Sequence, residues 1–450
     1  MKKLLQVDLL SGNILKSLII FMIPLLISNV FQQLYNAVDT VIVGHFLGDI
    51  SLAAIGACSP VYELLVGFAL GIGNGLGIVA ARCYGFQDEE LLKKSVAASV
   101  VIGIGVTAAL MLVSKLWLYR LLVLLQTPEN IMDEAYSYIS FVTMAVGVMF
   151  AYNLFAGLLR AIGNSVIPLL FLIFSSVLNI CLDLLFVVGL NQGIRGAAVA
   201  TVIAQAVSAV FCLIYMIKYA PMLLPKKKHV KAGAFLYKEL LGQGLSMGLM
   251  LGVVSAGTVI LQSAINHMGY LIIAGHTAAR KLHSFCFMPF GALCLSLSTF
   301  VSQNCGAGQE GRIRRGVRYA NYLSMVWSCL LILILGFGAP FLIWALSGSG
   351  EEAVLECGAW NLRLNAPFYI VLGILLNLRN TLQGLGQKIV PLISSVIELA
   401  GKIIFTVFLV PKMGYLGVIL CEPIIWCFMC AQLVRAYRNK MKNSVAGGEV

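Results

Sequence analysis

Five acidic residues lie within long apolar stretches: Asp39, Glu63, Asp183, Glu398 and Glu422. A charge at the centre of a bilayer costs at least ~2.5–3.5 kcal/mol on insertion scales, so such an acid faces a cavity or a partner. Asp39 and Asp183 are the pair best suited to ion chemistry. Two neighbouring carboxyls can take up and release a proton. Asn179 stands four residues before Asp183, on the same helix face, where its amide can orient the carboxylate. Thr201 adds a hydroxyl and Asn36 a further amide. These hard oxygens suit Na⁺ as well as H⁺, so Asp39, Asn179, Asp183 and Thr201 are also a candidate Na⁺ site. The residues leave the choice of ion open.

Other polar residues form smaller sets. Glu63 follows Pro60 and stands to attract a cationic substrate, with Gln262 and Asn266 as further candidates for a substrate cavity. Glu398 and Lys402 are four residues apart and can pair along one face. Arg280 lies four residues after His276 and three before His283, a polar stripe able to reach Glu398 or Glu422. No GxxxxGK[ST] loop is present and the loops are too short for a nucleotide-binding domain, so direct ATP coupling is not expected. Neither catalysis nor a cofactor is expected beyond the coupling ion. The twelve cysteines are scattered, and the lone pair Cys427/Cys430 falls short of the four ligands of a zinc site.

The elements that must position these groups are membrane helices. Hydrophobic residues make up 60% of the chain, charged residues 11%, and the mean hydropathy is +0.93. A soluble domain carries roughly a quarter charged residues. Apolar runs of ~18 or more residues recur along the whole length. In lipid every backbone group must be paired internally, and runs this long fit helices rather than barrel strands. Twelve spans are predicted near 14–43, 51–80, 92–118, 132–158, 166–190, 194–218, 238–267, 270–302, 316–346, 353–380, 389–411 and 414–436. Met1-Lys2-Lys3 reads as a short lead into the first span, with no signal peptide removed.

The net charge of +12 is distributed by topology. With the N-terminus inside, the inner loops and inner span ends gather most Lys and Arg, including Lys93, Lys94, Arg160, Lys226 to Lys228, Arg314, Arg318, Arg379, Arg438 and Lys442. The outer side receives Lys115, Arg120, Arg195 and Lys412. The positive-inside rule then predicts both termini in the cytoplasm of a bacterial cell, with the chain in its cytoplasmic membrane. Topology and lipid contact account for the basic runs, so nucleic acid is not expected as a partner. A monomer is expected.

The two halves repeat. Arg82 to Glu89 lies over Gln303 to Glu310 without a gap, a shift of 221 residues, with Lys93-Lys94 over Arg314-Arg315. Gly163 to Pro168 lies over Gly386 to Pro391, a shift of 223, and Gly193 and Gly196 lie over Gly414 and Gly417. The change of shift is expected in the last outer loop. Six spans per copy give both halves one orientation, as in rocking-bundle transporters. The domains are therefore expected as a first lobe 1–219, a linker 220–237 and a second lobe 238–450. Under these shifts Asn179 lies over Lys402, Asp183 over Thr406 and Thr201 over Glu422. Lys402, held by Glu398 and Glu422, then reads as a built-in cation of the second lobe.

The order and duplication of these stretches resemble the multidrug and toxic compound extrusion (MATE) family across nearly the whole chain. The residues that carry the resemblance are Ile23-Pro24, Asn36 to Thr40, Ala81 to Gly85, Gly157 to Asn164 with Pro168, Asn179 with Asp183, Gly196 to Thr201, and Gln303 to Gly308. The resemblance implies an all-α membrane protein of twelve helices, in two six-helix lobes around a central cavity. It implies an antiporter that exports organic cations or drugs against H⁺ or Na⁺. It is nearest the DinF-like branch, whose coupling acids lie in the first half, and it puts Asp39, Asn179, Asp183 and Thr201 on the first-lobe cation site. The other reading is a lipid-linked saccharide flippase of the same broad fold, which would favour a basic cavity and which Arg280 and Lys281 keep open.

Overall fold

The computed structural model describes residues 6–125 and 127–446, and side chains as far as Lys442. The lead residues Lys2 and Lys3 lie outside the described residues. Twelve spans run Ile14–Leu47, Asp49–Gly85, Glu89–Leu124, Glu129–Ala161, Val166–Gly189, Ile194–Tyr219, Ala234–Asn266, Tyr270–Gly306, Glu310–Ser347, Glu352–Gly384, Ile389–Met413 and Tyr415–Ala446. No strand occurs among the described residues.

Local chemistry sets the ends and breaks. Asp88 caps span three, its side chain accepting from the Leu91 N–H at 3.0 Å. Span four bends by 46° between Glu129–Met144 and Val146–Ala161. Span ten passes through a 3₁₀ turn, Ala366–Phe368, where Pro367 lacks the backbone N–H of a regular helix. Spans five and eleven each widen into a π turn, at Leu184–Gly189 and Phe405–Leu409.

The backbone carries the repeat more completely than the side chains do. Residues with positive φ recur in pairs: Gly12 and Gly233 (72° and 83°), Gly48 and Gly269 (84° and 95°), Gln87 and Gly308 (58° and 67°), Gly163 and Gly386 (89° and 82°), Gly193 and Gly414 (61° and 59°). Span five has 24 residues and span eleven 25, while the connection that follows runs over residues 190–193 in the first copy and is Gly414 alone in the second. The chain therefore shortens in the last loop of each half, where the change of shift was expected.

The compact packing units do not follow the sequence halves. One holds residues up to Gly12, Ile20–Gly252 and Ser302–Ala307; the other holds Asn13–Ile19, Val253–Val301 and the chain from Gly308 onward. Glycines explain why the first half of span seven belongs to the first unit. A Cβ on Gly71 would meet Gly248 Cα at 2.7 Å, and one on Gly75 would meet Gly244 Cα at 2.7 Å. Spans two and seven therefore touch backbone to backbone, as small residues permit. Gly73 and Gly77 face span four instead, at ordinary distances from Phe150 (3.7 Å) and Gly157 (3.6 Å). In the first unit the end of span eight is also pinned: Gln303 Nε2 donates to Ala161 O at 2.7 Å, and Asn304 Nδ2 to Leu9 O at 3.0 Å.

Candidate functional site: an oxygen-rich cluster and its charged counterpart

In the first unit, spans one, five and six bring the expected acids together. Asp39 and Asp183 are close neighbours. Asp183 is fully buried and Asn179 is 2% exposed. Asn179 Nδ2 donates to Thr201 Oγ1 at 3.4 Å, a long bond that turns the amide oxygen away from the hydroxyl. The remaining oxygens have no donor: Asp39 Oδ1, Asn179 Oδ1 and both oxygens of Asp183 are buried and unpartnered. Each unsatisfied buried acceptor costs about 1–3 kcal/mol, more when charged. Such a cluster fits a small cation, a proton or a metal ion of the hard, oxygen-loving kind.

A small cavity of about 20 Å³ adjoins this cluster, lined by Asn179, Thr201, Gln32, Tyr35, Asn153 and Gln205 among others. Gln205 Oε1 is also buried and unpartnered. Tyr35 and Gln205 were not singled out from the sequence, although Tyr35 precedes Asp39 by four residues and Gln205 follows Thr201 by four. That spacing places each on the face of its known neighbour. Asn36, expected in the cluster, is exposed, and its carbonyl accepts from Thr40 Oγ1 at 2.8 Å. Four residues, not three, brings a helix face back toward its starting direction, and Tyr35 holds the lining position.

The second unit gathers charges at the duplicate positions. Lys402 is 2% exposed, with Nζ 3.0 Å from Glu398 Oε1, 3.3 Å from Thr258 Oγ1 and 4.0 Å from Glu422 Oε1. Arg280 pairs with Glu422 at 3.3 Å. Arg379 reaches Glu398 at 3.8 Å and donates to Ser394 and Ser395 at 3.0 and 3.1 Å. These five charged residues line one cavity of about 640 Å³, with His283 and Trp426 stacked at 6.0 Å on its wall. Arg379, expected at the inner end of span ten as a topology signal, lies in that span and is buried. A turn of a few residues joins spans ten and eleven, and Ser394, Ser395 and Glu398 across that hairpin supply the acceptors which make its burial tolerable. His276 bonds Tyr415 Oη at 3.2 Å and His283 bonds Tyr369 Oη at 2.8 Å.

The proposed substrate-cavity residues are dispersed. Glu63 is exposed in the first unit. Gln262 and Asn266, in the second, bond one another one turn apart at 2.9 Å.

Comparison with known proteins agrees with the duplicated build. The MatE family profile matches residues 24–185 and again 247–408. The chain is 28% identical over 417 residues to the "Probable multidrug resistance protein YoeA" of Bacillus subtilis, covering 90% of this chain and 89% of that one. It is 30% identical over 312 residues to the "Probable multidrug resistance protein YpnP" of the same organism, 68% of each. Its fold matches a solved "Outward-facing conformation of a multidrug resistance MATE family transporter of the MOP superfamily" with a TM-score of 0.89 at 21% identity, over 97% and 98% of the two chains. A MATE transporter from Vibrio cholerae gives 0.86 at 22% identity over 95% and 97%. A profile that fits each half separately, over spans that repeat their backbone turns pair by pair, makes this chain a member of the MATE family of membrane transporters.

Proposed function

We propose that this protein is a secondary multidrug exporter of the DinF-like kind, moving organic cations or amphipathic drugs out of the cell in exchange for H⁺ or Na⁺ by alternating access. It works in the cytoplasmic membrane as a monomer with both termini in the cytoplasm, independently of any cofactor or nucleic acid. Asp39, Asn179, Asp183 and Thr201 hold the coupling ion. The observation that carries this reading is the surplus of buried, donorless oxygens around Asp183. An arrangement short of positive charge is sustained when a cation visits it during the working cycle. The second-lobe network of Arg280, Glu398, Lys402 and Glu422 already contains its cations and takes no coupling ion.

The test is efflux of a fluorescent organic cation from proteoliposomes, with a pH gradient or a Na⁺ gradient imposed separately. Export driven by one gradient and abolished by Asp39→Asn and Asp183→Asn supports the reading, and the effective gradient names the ion. Export indifferent to both gradients would sink it. One observation favours a second reading: Arg280, Arg379 and Lys402 converge on the 640 Å³ cavity, a basic lining suited to pyrophosphate. Lipid-linked saccharide flipping without gradient-coupled export would establish that flippase instead.

A further inference from the structure

The first lobe covers one of its grooves with its own chain. After span six the linker folds back in two short turns, Pro221–Leu223 and Lys227–Val230, which pack on span three. Leu223 is fully buried there. Glu90 at the start of span three receives Lys228 Nζ at 3.1 Å and His229 Nε2 at 3.1 Å. A basic segment thus closes over an acid.

The second lobe has the equivalent groove, between the start of span nine and the end of span twelve, with different contents. Span twelve continues as one helix to Ala446, and among the described residues the groove is an open cavity of about 750 Å³. Arg314, Arg318, Arg438 and Lys442 line it, with Tyr322 and Tyr437, and no Asp or Glu does. Two positions show the difference. Gly311 falls at the place of Glu90, and Arg318 falls at the place of the buried Ala97, each 221 residues on, while Arg314 keeps the positive charge of Lys93. The basic rim is fixed as well as charged: Arg314 donates to Met441 O at 2.9 Å across the groove. Tyr322, 57% exposed, offers an aromatic surface of the sort that favours the headgroup level of a bilayer.

We infer that this groove binds the headgroup of an anionic phospholipid from the adjoining leaflet. Four cations with no acid beside them among the described residues, set between two membrane helices, complement a lipid phosphate. The lipid completes in the second lobe the cover that residues 221–230 provide in the first. This inference stands apart from the nature of the transported substrate.

The test uses full-length protein, delipidated in detergent and then offered phosphatidylglycerol, cardiolipin, phosphatidylcholine or inorganic phosphate, with bound lipid counted by native mass spectrometry. The quadruple variant Arg314→Gln, Arg318→Gln, Arg438→Gln, Lys442→Gln is compared with wild type. A second variant, Lys226→Gln, Lys227→Gln, Lys231→Gln, Lys238→Gln, removes equal charge from the linker. Retention of the anionic lipids should fall on the order of a hundredfold in the first variant and stay near wild type in the second. Circular dichroism and elution as a single peak check that both variants are folded. Equal loss in both variants, equal retention of phosphatidylcholine, or displacement by inorganic phosphate at lipid-equivalent concentration would each overturn the inference. So would anionic-lipid binding that rises to new sites only when residues 447–450 are removed, since the chain's own tail would then be the occupant.

Discussion

In the first lobe Asn179 donates to Thr201 at 3.4 Å. At the duplicate positions in the second lobe Lys402 lies 4.0 Å from Glu422. Both lobes thus join the same two spans at the same level, one through an amide and a hydroxyl, the other through an ammonium and a carboxylate. Around the first pair, Asp39 and Asp183 leave oxygens without donors. Around the second, Lys402, Arg280 and Arg379 surround two carboxylates. The lesson is that two copies of one backbone plan hold opposite balances of charge, and only one copy carries its own cations. Under the proposed function, the copy that lacks them is the one that senses an ion in solution.

The sharpest way to break this comparison is to move the occupant. Asn179→Lys places a tethered ammonium among Asp39 and Asp183, and gradient-driven efflux should fall to the level of protein-free liposomes while the protein remains folded. A thermal midpoint equal to or above wild type, together with lost coupling, is the expected pair of results; preserved coupling would refute the equivalence of the two sites. Asp183→Asn should also reach background efflux, and it should abolish any stabilisation of the purified protein by the coupling ion.

The converse exchange is smaller in transport and larger in stability. Lys402→Gln leaves Glu398 and Glu422 short of one cation, and breaking a buried pair costs about 3–5 kcal/mol. The variant should melt earlier, and its melting should acquire a dependence on Na⁺ or on acid that a parent already carrying Asp183→Asn lacks. A variant as stable as wild type, with no new ion dependence, would make Lys402 a bystander. The smallest effect belongs to Thr201→Val. It removes one long bond, worth about 1 kcal/mol, and should weaken the coupling ion several-fold, read as a shift in the ion concentration that half-drives efflux.

Much of this was legible before any coordinates. Apolar runs give the twelve spans because lipid leaves the backbone no other way to be satisfied, and acids in such runs are costly enough to mark Asp39 and Asp183. Helical spacing tied Asn179 to Asp183. What escaped has a common cause: contacts made across a hairpin or between spans leave no spacing in one stretch. Arg379 looked like an exposed charge at a span end because its acceptors, Ser394, Ser395 and Glu398, belong to the next span. The partition of the glycines in span two between span seven and span four was equally hidden, though their small size was plain. The 46° bend near Ala145 falls in a run without proline or glycine at the break.

The π turns of spans five and eleven stand at the same place in each half. A π turn is rare and holds a residue more than a regular helix would use over the same rise. Leu184–Gly189 ends four residues before Gly193, and Phe405–Leu409 ends five before Gly414. A glycine after each loop lies close to the widened segment: a Cβ on Gly196 would meet Phe186 at 3.1 Å, and one on Gly417 would meet Leu409 at 3.3 Å. The widening is thus common to both halves, whereas the acid at Asp183 and the lysine at Lys402 each belong to one half alone.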